Sequence, residues 1–203
     1  MEIASVWKEE VNNALMKYTK EAVHFKRNGE WYKLPVQMRK SDESLKTESY
    51  PCITWYNLMD IQNVYRTDNV KHRYVNPETG AVTEYYLPIP FDMYYQLDFW
   101  GKLFGDVDAM TQAWIASLPP FSRGEFFNLP VVDSMGNKTS VLCKQKDILR
   151  RRDTLTSGDQ LYHSTITYAI QGHIGRDYQE INDIILSVNL DVETRRKRGI
   201  GNG

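Results

Sequence analysis

The chain has 203 residues, of which 41% are hydrophobic and 25% charged, and its formal net charge is -1. This length supports a core without disulfides or metals. The balanced charge argues against a dedicated nucleic-acid binder, which normally carries a strong basic excess. The two cysteines, Cys52 and Cys143, lie far apart in apolar runs. This spacing indicates buried free thiols in a reducing cytoplasm.

The start of the chain and its hydropathy bear on localisation. Acidic residues stand early, at Glu2, Glu9 and Glu10, whereas a signal peptide has a basic start followed by an apolar run. No stretch approaches the roughly 20 apolar residues that a membrane-spanning helix needs. We therefore expect neither a signal peptide nor contact with a membrane.

The first predicted element is a helix over residues 3–25, because its apolar residues recur at helical spacing. Asn28-Gly29 is a typical stop signal after such a helix. The apolar stripe consists of Ile3, Trp7, Val11, Ala14, Leu15, Tyr18, Ala22 and Phe25.

Strand-like and polar segments follow this helix. Residues 31–36 have the composition of a short strand, and residues 39–49 are polar and predict a loop or an arm. Residues 51–58 predict a strand, because β-branched and aromatic residues dominate them and Pro51 suits the first position.

A turn is predicted at residues 76–80, where Pro77 fixes one φ angle and Gly80 permits a positive one. Its flanks, residues 70–75 and 81–87, are predicted to pair as an antiparallel hairpin.

The clearest period-two pattern is the central strand over residues 91–100. One face is apolar, with Phe91, Met93, Tyr95, Leu97 and Phe99. Pro88 and Pro90 predict a bend or a sheet edge where this strand begins. The other face is polar and aromatic, and consists of Asp92, Tyr94, Gln96, Asp98 and Trp100.

A second helix is predicted to begin at Gly105-Asp106, with Asp106 as its N-cap, and to end at Pro119-Pro120. Its apolar stripe consists of Val107, Met110, Trp114, Ile115 and Leu118.

The remaining segments complete a predicted α+β domain with two helices beside a largely antiparallel sheet. Residues 126–132 and 139–143 predict a second hairpin, residues 144–158 a charged exposed connection, and residues 163–174 the last strand. We assign residues 1–175 to this domain. Residues 176–203 are predicted to form a C-terminal arm and a basic disordered tail, with the apolar run 184–188 as one more strand or part of the arm.

No catalytic grouping is evident in the sequence. It contains no phosphate-binding loop, nucleophile elbow or zinc-binding spacing, and its four histidines are dispersed. Asp92 and Asp98 share a strand face about 20 Å apart, too far for a catalytic pair. The sequence therefore predicts neither an enzyme nor a cofactor or metal site. A hydrolase whose carboxylates converge only in the fold is the alternative.

Two basic clusters and the exposed aromatic residues are the candidate contact sites. The clusters fit a solvated loop and tail, or contacts with nucleic acid or an acidic surface. Tyr85, Tyr86, Tyr94 and Trp100 lie outside the main apolar face, which favours an oligomer interface. The basic clusters are Arg150, Arg151 and Arg152, and Arg195, Arg196, Lys197 and Arg198.

The middle of the chain resembles the tail terminator, or tail-completion, proteins of long-tailed bacteriophages. Residues 51–56, a hairpin, and residues 87–100 with the pattern P-I-P-x-D-x-x-Y-Q-x-D precede a short helix. A proline-containing exit, Leu118-Pro119-Pro120-Phe121, follows that helix. The resemblance covers about residues 50–175.

This resemblance implies a structural virion protein that forms a ring, usually a hexamer, at the head-proximal end of the tail tube. Such a ring stops polymerisation of the tube and sheath and offers a docking surface for the neck or head-completion protein. Its partners would be further copies of itself, the tube, possibly the sheath, and the neck. It would meet nucleic acid only as DNA passing through the ring. The longer arms leave another neck or baseplate protein, or a nucleic-acid-binding accessory protein, as alternatives.

Overall fold

The structure, a computed structural model, describes residues 5–27, 29–39, 50–66, 71–75, 78, 80, 82–119, 125–154, 160–175 and 179–181. Its fold is α+β. The helices described are α1 (Lys8–Ala22) and α2 (Phe104–Ser117), and a 3-10 turn covers Val64–Arg66. The strands are β1 (Phe25–Arg27), β2 (Glu30–Tyr32), β3 (Val36–Arg39), β4 (Cys52–Gln62), β5 (Lys71–Val75), β6 (Val82–Tyr86), β7 (Ile89–Gly101), β8 (Phe126–Val132), β9 (Lys138–Thr154), β10 (Gln160–Ile174) and β11 (Gln179–Ile181).

Most strands belong to one six-stranded sheet in the order β3-β4-β7-β10-β9-β8. Its neighbours pair antiparallel, except for β3 and β4, which are parallel. Two smaller sheets accompany it: the hairpin β1-β2, and a three-stranded sheet in the order β11-β6-β5.

Strand β7 lies inside the six-stranded sheet, between β4 and β10, as the period-two pattern predicted. At its start β7 is paired on one side only: Ile89 and Pro90 pair with β10, whereas the ladder with β4 ends at Phe91 opposite Gln62, which agrees with the predicted edge on that side. Pro90 lies opposite His173 in β10, and its carbonyl accepts a hydrogen bond of 2.9 Å from the Asn63 backbone N–H. A proline lacks only the N–H, so its carbonyl can still take part in strand pairing.

Both helices cover one face of this sheet, which we call the helix face. Val11 and Leu15 of α1 and Val107, Met110 and Trp114 of α2 share one buried cluster with alternate apolar residues of β4, β7 and β10, whereas Ile115 of the predicted stripe is exposed. At the centre lie Trp55, Trp114 and Tyr168, all fully buried, with Trp114 donating a hydrogen bond of 2.8 Å to the Tyr168 hydroxyl. The rings of Trp55 and Trp114 meet edge to face at 6.0 Å. The aromatic surplus of the sequence is therefore largely core.

Helix α1 is shorter than its apolar spacing predicted. It ends at Ala22, and Gly29 of the predicted stop signal lies between two paired strands, while Asn28 lies outside the described residues. Gly29, with φ of 87°, joins β1 to β2. Phe25 is buried, as its place in the helical spacing predicted, but it lies on β1. A single apolar residue at the end of a segment fits the helical and the strand period equally well, so the sequence pattern did not separate the two.

Helix α2 begins at Phe104, one residue before its predicted start at Gly105. Asp106 is the third residue of the helix rather than its N-cap, which is Leu103. The Asp106 backbone N–H already donates to the Leu103 carbonyl at 3.2 Å. A carboxylate in the first turn still favours the helix through its dipole.

Two predicted hairpins are confirmed. Strands β5 and β6 pair antiparallel from Lys71 opposite Tyr86 to Val75 opposite Val82. Strands β8 and β9 pair from Phe126 opposite Lys144 to Val132 opposite Lys138.

The exposed connection predicted over residues 144–158 is wrong as far as Thr154. Strand β9 continues to that residue and pairs with β10. Lys144, Lys146 and Asp147 are exposed, as predicted. Exposed charged residues also occur on strands, because an antiparallel sheet can have one face in water, so their charge did not indicate a loop. Residues 155–158 lie outside the described residues.

The N-terminal segment pairs with the end of β10, beyond the last residue of β10 that pairs with β9. Val6 forms an antiparallel bridge with His173, with two backbone hydrogen bonds of 3.0 Å. Gly172 makes this approach possible: a Cβ at that position would lie 2.7 Å from the Val6 carbonyl oxygen and would also meet the Met93 side chain.

Candidate subunit interface on the polar face

The second face of the six-stranded sheet, opposite the helices, carries the five residues that the alternation of β7 places there. We call it the polar face. It consists of those five residues and their direct neighbours: on β4, Cys52, Thr54, Tyr56, Met59 and Ile61; on β10, His163, Thr165, Thr167, Ala169 and Gln171. Burial divides this face into two halves.

The half around Asp98 is buried. The Asp98 side chain accepts a hydrogen bond from the Thr165 hydroxyl, and the Gln96 amide donates to both carboxyl oxygens at 2.9 and 2.8 Å. Burial raises the pKa of the Asp98 carboxyl, although these donors and the nearby charges of His163 and Arg39 favour the ionised form. Asp98 is 1% exposed, so the prediction that it contacts a partner is wrong.

Trp100 is buried in the same half. Its indole N–H donates to the Thr54 hydroxyl at 3.0 Å, and its ring stacks on the imidazole of His163 at 4.4 Å. Cys52 and Leu161 complete a small apolar cluster around it, and burial raises the pKa of the Cys52 thiol to about 12. Trp100 is 9% exposed, so its predicted role in a partner contact is also corrected. The Thr54 hydroxyl satisfies the indole N–H of Trp100 within the same chain, so this buried N–H needs no partner molecule as acceptor.

The half around Asp92 is partly exposed. The Asp92 carboxylate forms an ion pair of 2.9 Å with Arg66 and accepts a hydrogen bond of 2.8 Å from the Asn63 amide. These contacts hold the 3-10 turn after β4 against β7. Asp92 therefore has a structural role inside the chain, and its predicted part in an interface stays a prediction.

Tyr94 and Gln96 lie half-buried between these two halves. Tyr94 stands opposite Met59 on β4, and Ile61 stands opposite Asp92. Met59 is 53% exposed and Ile61 49%, so the Asp92 half combines exposed apolar side chains with the Asp92–Arg66 ion pair. Apolar and polar side chains are mixed in this way at many protein–protein contacts.

The apolar rim continues past the end of β4 into the 3-10 turn. Within the described residues, β3 pairs with β4 only up to Arg39 opposite Tyr56. Of the next six residues of β4, five pair there with β7 alone, and Leu58 is passed over at a bulge. We call the exposed apolar residues of this region the β4 patch: Leu58, Met59, Ile61, Val64 and Tyr65. Sequence reasoning missed this patch, because it ended the strand at Leu58, whereas β4 continues to Gln62 and carries Met59 and Ile61.

The two basic clusters differ in what the structure describes. Arg150, Arg151 and Arg152 lie on β9, opposite Ser164, His163 and Tyr162 of β10, and not in a loop. Only their backbone positions are described. Arg195, Arg196, Lys197 and Arg198 lie outside the described residues. Contacts of either cluster with a partner stay predictions.

The partners of Asp98 and Trp100 were also missed at the sequence level. Thr54 and Thr165 come from two other strands, and only the pairing register places them beside β7. Period-two alternation identifies a face, but it does not say which part of that face is buried.

Two further observations concern chemistry and membranes. Among the described residues, no group of three or more His, Cys, Asp and Glu side chains is placed to hold a metal ion.

No helix in the described part of the chain is long and apolar enough to cross a membrane.

Comparison with known proteins gives no assignment. No protein-family model matches the chain, and no curated protein matches its sequence.

Proposed function

We propose that this protein is a structural virion protein that caps the head-proximal end of a bacteriophage tail tube. In this role it ends tail polymerisation and joins the tail to the neck. Its partners are further copies of itself in a ring, expected to be a hexamer, the last ring of the tube, possibly the sheath, and a neck or head-completion protein. The proposal assigns it neither catalysis nor a cofactor.

One observation carries the proposal. The segments that resemble tail terminators are β4, the β5-β6 hairpin, β7 and α2, and they follow one another in a single α+β fold. Strands β4 and β7 pair along their length, and α2 packs on the face that they share. Of these segments, β4, β7 and α2 form one packed unit, whereas the β5-β6 hairpin belongs to the separate three-stranded sheet. Fold alone does not assign a station in a virion, so the proposal depends on this sequence pattern.

The surface composition adds support. A capping subunit needs contact surfaces rather than a catalytic cleft. The Asp92 half of the polar face and the β4 patch combine exposed apolar side chains with paired charges. Such a mixture is typical of surfaces that associate with other proteins.

The test is deletion of the gene in a phage that encodes it, with electron microscopy of the lysate. We expect tails of abnormal length, or tails that do not join heads, and restoration of both by a plasmid copy. Tails of normal length that still join heads would contradict the proposal. Negative-stain imaging of the purified protein, alone and with tail tubes, then tests whether rings sit on one tube end.

A further inference from the structure

The β1-β2 hairpin presents two exposed aromatic side chains on an anchored base. Phe25 of β1 is 3% exposed and belongs to the main core. Tyr32 stands opposite it on β2, and the two rings meet edge to face at 6.5 Å. Trp31 is 67% exposed and Tyr32 51%. Exposed Trp and Tyr side chains of this kind are frequent contact residues in protein interfaces.

Basic side chains hold the Trp31 ring. The Lys26 ammonium lies 4.8 Å from the centroid of this ring, within the range of a cation–π contact. The His24 imidazole meets the same ring edge to face at 5.9 Å. An acidic partner that contacts Trp31 therefore meets positive charge beside the ring.

A cavity of about 410 Å³ lies between the end of α1, this hairpin and the beginnings of β3 and β4. We call it the hairpin cavity. Its floor is apolar and consists of the buried side chains of Val23, Phe25, Leu34, Val36 and Ile53. Cavities of this size with a mostly apolar lining are typical of binding sites, so the floor suits an apolar group of a partner.

The rim of the hairpin cavity is basic. Lys20 lies in the last turn of α1, His24 just after that helix, and Lys33 just after β2. All three side chains are exposed. Among the described residues that line the cavity there is no Asp or Glu. Charge complementarity therefore favours a partner that carries carboxylates next to an apolar group.

The spread of the positive charges favours a peptide over a small anion. Lys20, Lys26 and Lys33 come from α1, from β1 and from the connection between β2 and β3. Several carboxylates along a chain match such a set better than one anionic head group does. Trp31 and Tyr32 add contact surface beside the cavity, which a chain can cover and a small molecule cannot.

The lining also favours an apolar side chain over a nucleobase. The hydroxyl of Thr19, which lines the cavity, already donates to the Leu15 carbonyl at 2.7 Å and accepts from the Trp55 indole N–H at 2.8 Å. A nucleobase would bury its polar edge against an otherwise apolar floor, which costs free energy. An apolar side chain has no such cost.

We propose that the hairpin cavity binds an acidic peptide segment of a partner protein. One apolar side chain of the segment enters the cavity, and its carboxylates lie beside Lys20, Lys26 and Lys33. Trp31 and Tyr32 contact the flanking part of the segment. The inference concerns a partner contact and does not depend on the capping of a tail tube.

The first test uses the full-length protein and a fluorescein-labelled peptide in which a phenylalanine is flanked on both sides by aspartate and glutamate. One control peptide has serine in place of phenylalanine, and the other has asparagine and glutamine in place of the acids. By fluorescence anisotropy, the first peptide should bind at least about tenfold more tightly than either control, because each control removes one of the two contributions. Absence of binding, or equal binding of the phenylalanine and serine peptides, would overturn the proposal.

A matched pair of variants on α1 tests the location of the site. Lys20→Glu should weaken binding of the phenylalanine peptide at least about tenfold, because it reverses a charge on the rim. Lys17→Glu reverses an exposed charge three residues earlier, where the side chain lines a different cavity beside β8, and should change binding by less than about threefold. Trp31→Ala should weaken binding at least about fivefold. Equal effects of Lys20→Glu and Lys17→Glu would mean that only net charge matters and would overturn the proposal.

Competition and sedimentation identify other occupants. A single-stranded oligonucleotide that displaces the labelled peptide more effectively than the unlabelled peptide does would assign the site to nucleic acid, and octanoate that does so would assign it to a small amphiphile. Self-association of the protein that Lys20→Glu weakens and Lys17→Glu does not would assign it to a second copy. Each of these results overturns the proposal. All are measured on purified protein, so this proposal and the phage deletion can fail independently.

Discussion

The two faces of the six-stranded sheet use the same strands for different purposes. On the helix face, Trp55, Trp114 and Tyr168 are fully buried under two helices. On the polar face, a buried carboxyl and a buried indole are satisfied by hydroxyl and amide groups, and the rest is partly exposed. The helix face therefore stabilises the fold through apolar burial. The buried half of the polar face depends on hydrogen bonds that must be complete, and the Asp92 half is partly exposed.

The largest effect is expected at the centre of the helix face. Trp114→Ala removes a fully buried ring and the donor to Tyr168, so the free energy of unfolding should fall by about 3–5 kcal/mol. Urea unfolding followed by circular dichroism measures this loss. The neighbouring residue, Ile115, is 38% exposed and gives a control. Ile115→Ala should lower the free energy of unfolding by less than about 1 kcal/mol. Equal losses for both variants would mean that the helix face is not the main core.

A smaller loss is expected where the N-terminal segment joins β10. Gly172→Ala places a Cβ 2.7 Å from the Val6 carbonyl oxygen, so the backbone must shift, at a cost of about 1–3 kcal/mol. Gly105→Ala is the matched control, because a Cβ there meets nothing within 4 Å. It should be neutral or stabilising by up to about 1 kcal/mol, since Gly105 lies in a helix. Thermal unfolding of the two variants distinguishes these outcomes, and a neutral Gly172→Ala would contradict the close approach.

The buried half of the polar face should respond to pH. Burial raises the pKa of Asp98, so the folded chain binds this proton more tightly than the unfolded chain does. Its contribution to stability is present below the unfolded pKa of about 4 and is lost as pH rises through the higher folded pKa. The free energy of unfolding of the wild type minus that of Asp98→Asn should therefore decrease as pH rises.

Urea titrations at several pH values above and below the ordinary aspartate pKa test this dependence. Asp92→Asn, which replaces a partly exposed carboxyl on the same face, controls for the loss of a charge. A wild-type advantage that grows with pH would show that the hydrogen-bond donors outweigh burial at Asp98.

The smallest effect is a difference in the rate of thiol labelling. Cys143 lies in the main core and Cys52 in the small cluster around Trp100, and burial raises the pKa of both thiols. We expect neither to react quickly in the folded protein, with Cys52 labelled a few-fold faster, because opening of the smaller cluster exposes it. Alkylation followed by peptide mass spectrometry measures both rates. Faster labelling of Cys143 would mean that the main core opens more readily than the small cluster around Trp100, contrary to this expectation.

The sequence by itself determined the elements that depend on local chemistry. The alternation in residues 91–100 identified the central strand, and glycine and proline turns identified the β5-β6 and β8-β9 hairpins. These predictions succeeded because side-chain period and turn geometry are properties of short segments. The helical stripe around Val11 and Leu15 was also found, although its boundaries were not.

Only the tertiary structure decided what each face contacts. It extended β9 through residues that look like a charged loop, and it placed Thr54 and Thr165 beside Trp100 and Asp98. In the described part of the chain it also pairs β3 with β4 as far as Arg39 opposite Tyr56. Burial, register and edge exposure depend on residues distant in the chain, so no local pattern contains them. The polar face of β7 was predicted as one contact surface. Its neighbours across the sheet divide it into a buried half around Asp98 and a partly exposed half around Asp92.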